Sequence, residues 1–160
     1  MKILLICRHA KAEKETGRGD HARALTARGA RDATAMGQHL ARVAGVPDLI
    51  VTSDARRAEQ TAGRAATALG YPGAIQQEPR IYQASGETLV QIVRQLPDTA
   101  DCVLLVGHNP GCEELGQLLA PAGAPLPALP TAGVIHLAFA VPHWQDIRPA
   151  GGTLRGVYTL

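Results

Sequence analysis

Ile3-Leu4-Leu5-Ile6-Cys7, followed at once by Arg8-His9-Ala10, is the stretch that decides the fold. A five-residue apolar run behind Met1-Lys2 is too short for a core helix and reads as a buried strand. It ends in a cation and an imidazole. In open α/β sheets ligands bind at the carboxyl ends of the strands, so Arg8 and His9 stand where a site is expected. A second run, Cys102 to Val106, ends the same way in Gly107-His108-Asn109-Pro110-Gly111.

Between and beyond these runs the chain alternates strand-like and helix-like segments. Lys11 to Arg23 is polar and reads as a loop over the sheet edge. Thr26 is the expected N-cap of a helix whose Ala33, Met36, Leu40 and Val43 recur at helical spacing, and which Gly45 and Pro47 close. Asp48 to Thr52 reads as a second strand, Ser53 to Leu69 as an Ala-rich helix ended by Gly70, and Ala74 to Glu78 as a short edge strand. Ser85 caps a helix through Leu96. Pro110, suited to the N1 position, opens another to Leu119. Ala120 to Pro130 reads as a surface loop, Val134 to Val141 as a strand, and Thr153 to Leu160 as its antiparallel partner.

Crossover helices between short apolar strands define the expected fold class. It is α/β, a three-layer sandwich with a mainly parallel central sheet and helices on both faces. No repeat or linker interrupts the pattern, so residues 1–160 are expected to form one domain.

Composition narrows the function classes. The 160 residues carry a net charge of +2 and only 3% aromatics, which leaves little to stack bases on and disfavours a nucleic-acid partner. Cys7, Cys102 and Cys112 are odd in number and lack a CxxC pair, so no disulfide framework is expected. A charged site by residue 8 leaves no room for a signal-peptide core, and no apolar stretch reaches the ~20 residues that span a bilayer. A cytoplasmic protein without membrane association is expected.

Three strand ends then carry the chemistry: Arg8 and His9 on the first, Ser53 and one turn later Arg57 on the second, His108 and Asn109 on the fourth. If these strands are neighbours, two imidazoles and two guanidiniums converge. A transferring phosphoryl group spreads charge over three equatorial oxygens, and arginine grips two such oxygens with one planar fork. Neutral imidazole, with an ordinary pKa near 6.5, is a competent nucleophile at neutral pH. One histidine is expected to attack phosphorus while the other, protonated, binds an equatorial oxygen. The cysteine-phosphatase loop is excluded, because the position six residues after each cysteine holds Glu13, His108 or Leu118 where arginine is required. No zinc-hydrolase spacing such as H-E-x-x-H is present, and neither metal nor cofactor is expected.

Arg8-His9-Ala10, the run Ser53-Asp54-Ala55-Arg56-Arg57-Ala58-Glu59-Gln60-Thr61, and Gly107-His108-Asn109-Pro110 together resemble the histidine phosphatase (phosphoglycerate mutase-like) superfamily. The small size, Asp20-His21-Ala22-Arg23-Ala24-Leu25-Thr26, and Pro130-Thr131-Ala132 with Trp144 most resemble its SixA-type phosphohistidine phosphatase branch. The likeness spans residues 1 to about 148. It implies that His9 is the phosphorylated nucleophile, that His108 contacts the phosphoryl group, and that Arg8 and Arg57, rather than Arg56, hold its oxygens. Ser53, Asn109 and Arg23 follow as expected substrate contacts.

Two departures matter. Ala10 stands where much of the superfamily has glycine. Gln83 stands where mutase-like members carry a proton-donating glutamate, and an amide cannot act as a general acid. An alkoxide leaving a sugar phosphate needs that proton, whereas imidazole leaves readily near neutral pH. The site is therefore expected to favour N–P substrates, with Asp20, Asp54, Glu59 or Glu87 as the carboxyls able to substitute. Short segments at 11–25 and 79–88 supply no helical lid, and an open, shallow site is expected to take a phosphohistidine-bearing protein. The alternatives are a sugar-phosphate phosphatase or mutase of the same superfamily and an inactive phosphate-binding module.

Overall fold

The computed structural model describes residues 1–160. Six strands form one sheet: β1 (Lys2–Arg8), β2 (Leu49–Thr52), β3 (Gln76–Gln77), β4 (Cys102–Gly107), β5 (Val134–Phe139) and β6 (Thr153–Tyr158). Their order is β3-β2-β4-β1-β5-β6. The first four run parallel, while β5 and β6 pair antiparallel. Four helices complete the fold: α1 (Ala27–Val43), α2 (Arg56–Leu69), α3 (Gly86–Arg94) and α4 (Gly111–Leu119).

Strand side chains alternate between faces, and the two cores follow from that period. Leu5, Cys7, Ile50, Leu104 and Val106 pack with Met36 and Leu40 of α1 and the alanines of α2. Leu4, Ile6, Val51, Val103 and Leu105 pack on the other side with Leu89, Ile92 and Val93 of α3 and Leu115 and Leu119 of α4. This is the α/β three-layer sandwich.

Thr26 and Ser85 cap α1 and α3, each accepting from the amide three residues on. Gly70, at φ 69°, closes α2 in the left-handed conformation that glycine adopts without a Cβ penalty.

Several boundaries differ from the sequence expectation. The second helix starts at Arg56 rather than Ser53, because the Ser53 hydroxyl accepts the Ala55 amide and holds that turn out of the helix. Pro110 takes the N-cap position of α4 rather than N1. The third helix stops at Arg94, since Pro97 disfavours helical backbone at Leu96 before it. The edge strand shrinks to Gln76–Gln77, and β5 ends at Phe139, where its pairing with Lys2 and the start of β6 run out. Val43 is exposed rather than buried with Ala33, Met36 and Leu40. The 120–130 segment is a loop but not purely a surface one, because Leu129 is buried within it.

Candidate active site

Strand register brings the two histidines together. Arg8 of β1 lies opposite Gly107 of β4, so the next residue of each strand, His9 and His108, leaves the sheet at the same level. The His9 amide bonds the Gly107 carbonyl at 2.9 Å, and the two rings stand 5.2 Å apart between centroids. On the other side of β4, Thr52 pairs with Val106 and the Ser53 amide bonds the Val106 carbonyl, which places the start of α2 over the same edge.

His9 is fixed at both nitrogens. Nδ1 lies 2.7 Å from the Ala10 carbonyl, an acceptor only, so it carries the proton. Nε2 therefore keeps its lone pair and accepts from Arg57 Nε at 3.3 Å. Burial, with the Arg57 and Arg8 charges, pushes the His9 pKa down to about 4 against the help of the Ala10 bond. The ring is neutral at pH 7.

His108 is held neutral as well, so the protonated partner expected from sequence needs a bound anion to stabilise it. Burial first, then His9 and Arg57, lower its pKa to about 3. The Asp20 carboxylate pulls the other way but does not outweigh them. Its Nε2 lies 2.8 Å from Ser53 Oγ, and its Nδ1 is buried without a partner. Arg8 Nε is orphaned in the same way, while Arg8 Nη1 donates to the Leu129 carbonyl at 3.0 Å. Buried polar atoms are rarely left unpaired. Two of the three such atoms belong to residues lining one cleft; the third, His136 Nε2, lies in β5 away from it.

The cleft measures about 820 Å³, within the usual range for small-ligand sites. His9 and Arg57 form its nearly inaccessible floor, at 8% and 5% exposure. Asp20 and Gln83 form an exposed rim. The site is thus deeper than the shallow one expected, with Asp20 of a 3-10 turn and the segment Tyr82 to Ser85 completing its wall. A larger concavity, about 980 Å³ between α1 and α2, lies away from these residues.

The remaining expected residues take distinct places. Arg57 points into the cleft and Arg56 out to solvent. Ser53, expected as a substrate contact, is fully buried behind His108 and off the cleft wall, where it orients the ring. Asn109 lines the cleft, but its amide is committed to Glu113 and the Leu129 carbonyl. Arg23 also lines it, donating to Asp20 Oδ1 and the Glu13 carbonyl. Cys112 is fully buried, with its thiol pushed far up by burial.

Sequence reasoning missed Tyr82, Lys11 and Thr131, all on the cleft wall, and named Asp20 only among four substitute acids. Of those four, Asp20 alone lines the cleft. Asp54 pairs with His21, Glu59 accepts from Gln77, and Glu87 sits on the first turn of α3. The Asp20 side chain accepts from Arg57 Nη2 (3.0 Å), Arg23 Nε (2.9 Å) and Tyr82 Oη (2.7 Å). The Tyr82 bond foremost, then Arg23 and Arg57, hold its carboxyl well below the usual carboxylate range. It is an anion at neutral pH, not a general acid.

The sheet order, the paired strand-end histidines and their arginines define a class, and comparison with known proteins gives the same one. Residues 4–84 match the family model for branch 1 of the histidine phosphatase superfamily. The chain belongs to that superfamily, and it is similar over nearly its whole length to solved structures of the SixA type. A structure assigned as phosphohistidine phosphatase SixA from Nakamurella multipartitia is 28% identical, superposes with a TM-score of 0.86, and covers 99% of this chain and 95% of its own. The protein histidine phosphatase SixA complexed with tungstate, at 20% identity and a TM-score of 0.81 over 97% and 95% of the two chains, shares the fold. An uncharacterised protein of Mycobacterium tuberculosis is 31% identical over 159 residues, covering 94% of this chain and 98% of the relative. Superfamily membership and the SixA-like neighbours support a phosphatase.

Proposed function

We propose that the protein hydrolyses phosphohistidine on another protein, passing the phosphoryl group through His9. The observation that carries the reading is the fixed tautomer of His9, with its proton on Nδ1 against Ala10 and its Nε2 lone pair facing Arg57. A phosphoryl group seated over Nε2 has Arg57 and Arg8 for its oxygens, and His108 beside it. Its negative charge raises the His108 pKa and gives that ring a reason to protonate once the substrate is bound. Attack by His9 gives a phosphoimidazolium whose Nδ1–H stays on the Ala10 carbonyl. Water then releases phosphate and restores the ring.

The cleft offers no acid to protonate a leaving oxygen. Gln83 reaches the cleft where a protonated carboxyl would be needed to expel an alkoxide, and Asp20 is held ionised. Imidazole leaves without that help. The exposed rim suits a side chain presented by a protein. No helix is long and apolar enough to cross a membrane, and three free cysteines suit a reducing compartment, so we place the enzyme in the cytoplasm.

The test is phosphate release from a histidine-phosphorylated protein beside sugar phosphates and phosphoserine, with wild type and His9→Ala. Release confined to phosphohistidine and lost in the variant is expected. Comparable turnover of sugar phosphates would favour a small-molecule phosphatase of the same superfamily. Phosphate binding without turnover would make the protein a binding module.

A further inference from the structure

The Arg57 guanidinium divides its donors between two residues. Nε meets the lone pair of His9, while Nη1 and Nη2 hold the Asp20 carbonyl (2.8 Å) and carboxylate (3.0 Å). One guanidinium therefore separates the nucleophilic nitrogen from a carboxylate on the cleft rim. That carboxylate is 47% exposed, so it faces the incoming ligand. Asp20 and Glu114 are the two carboxylates lining the cleft; Glu114 sits on the first turn of α4 and makes no ion pair.

An anion at the mouth of a phosphate site is a puzzle for a general phosphatase. Its charge is shared with Arg57 and Arg23, yet its exposed oxygens still disfavour a leaving group on which negative charge develops as the bond to phosphorus breaks. The disfavour is removed for one kind of substrate, in which the group beyond phosphorus bears a positive charge and an N–H. A phosphohistidine ring protonated on its free nitrogen is such a group. Three donors anchor Asp20, yet two carboxylate oxygens offer about four lone-pair sites, which leaves room for one further N–H.

We propose that Asp20 is the specificity-determining residue for the leaving group, its carboxylate accepting the N–H of the phosphohistidine ring and keeping that ring protonated while His9 attacks. The idea rests on the phosphohistidine reading above. In the step, the lone pair of His9 Nε2 forms the new N–P bond. The P–N bond of the substrate breaks, and its electron pair returns to the substrate ring. The substrate departs as neutral imidazole, still carrying the N–H bonded to Asp20, so no proton is transferred from the enzyme. A phosphate ester presents an oxygen lone pair at the same place and gains nothing from the carboxylate. The site thereby dispenses with the acid missing at position 83.

The experiment compares kcat/KM for a histidine-phosphorylated protein and for p-nitrophenyl phosphate, whose nitrophenolate leaves without a proton. Wild type and Asp20→Asn are measured on both. The amide keeps the size of the side chain and leaves the backbone carbonyl that holds Arg57. The readout is the ratio of the two values, which a general loosening of Arg57 or of the fold does not move. At least a tenfold fall of that ratio in Asp20→Asn is expected. An unchanged ratio, with both substrates slowed alike, would make Asp20 only a tether for Arg57 and overturn the proposal. Wild type that cleaves p-nitrophenyl phosphate but not the phosphohistidine protein would overturn the parent reading instead, a failure visible before any variant is made.

Discussion

Arg57 Nε lies 3.3 Å from His9 Nε2, although 48 residues separate them in the chain. The contact exists because β2 and β1 flank β4 and end at one level, so the first turn of α2 hangs over the nucleophile. Donating to the attacking nitrogen, Arg57 holds the ring ready and marks the space a phosphoryl oxygen will share.

Arg57→Ala should lower kcat/KM by about 10²–10³-fold, the loss typical of one preorganised donor to developing negative charge. Arg56→Ala, one residue away and exposed, should leave it unchanged. Steady-state kinetics of the two variants on one substrate makes the comparison.

Ser53→Ala should reduce kcat without removing any group from the cleft. The hydroxyl fixes His108 at 2.8 Å and accepts the Ala55 amide, so its loss frees the ring and leaves a buried N–H unpaired. A stability loss of about 1–3 kcal/mol is expected. Denaturant unfolding measures that loss, and kinetics at saturating substrate measures the drop in kcat.

The pH dependence of stability follows from the two lowered histidines. Between pH 6.5 and about 4 the unfolded chain protonates His9 and His108 while the folded chain does not. The unfolded state then binds more protons, and stability rises with pH through this window. The full contribution is present above pH 6.5 and is lost as pH falls toward 4 for His9 and 3 for His108. His136 is shifted the same way by burial and adds a background slope. Thermal melts at pH 7 and 4.5 should therefore differ less for His9→Gln/His108→Gln than for wild type. An equal difference would refute the assigned shifts.

Gln83→Glu should raise turnover of sugar phosphates sharply and leave phosphohistidine turnover little changed. General acid help is worth about 10²–10⁴-fold where a leaving oxygen needs it. No gain on sugar phosphates would mean that position 83 does not reach the leaving group.

The fold was largely legible because its signals are local. Apolar runs at Ile3–Cys7 and 102–106, the Thr26 and Ser85 caps and Gly70 each announce an element within a few residues. The convergence of His9, Arg57 and His108 was legible because strand ends of a parallel sheet share one edge. What escaped depends on contacts with no local signature. Tyr82 reaches Asp20 across 62 residues, between a 3-10 turn and a loop without periodicity. Leu129 lies in a Pro/Ala-rich stretch that reads as surface, yet its carbonyl fixes both Arg8 and Asn109. The neutrality of His108 arises from burial, which the spacing of residues does not reveal.

The central claim is that the phosphoryl group rests on His9. Wild type mixed with a histidine-phosphorylated protein, quenched rapidly at alkaline pH and mapped by tandem mass spectrometry, tests it most directly. One phosphoryl group on the peptide containing His9, absent in His9→Ala, is the predicted result. Phosphoryl transfer to His108, or full turnover by the His9→Ala variant, would contradict it.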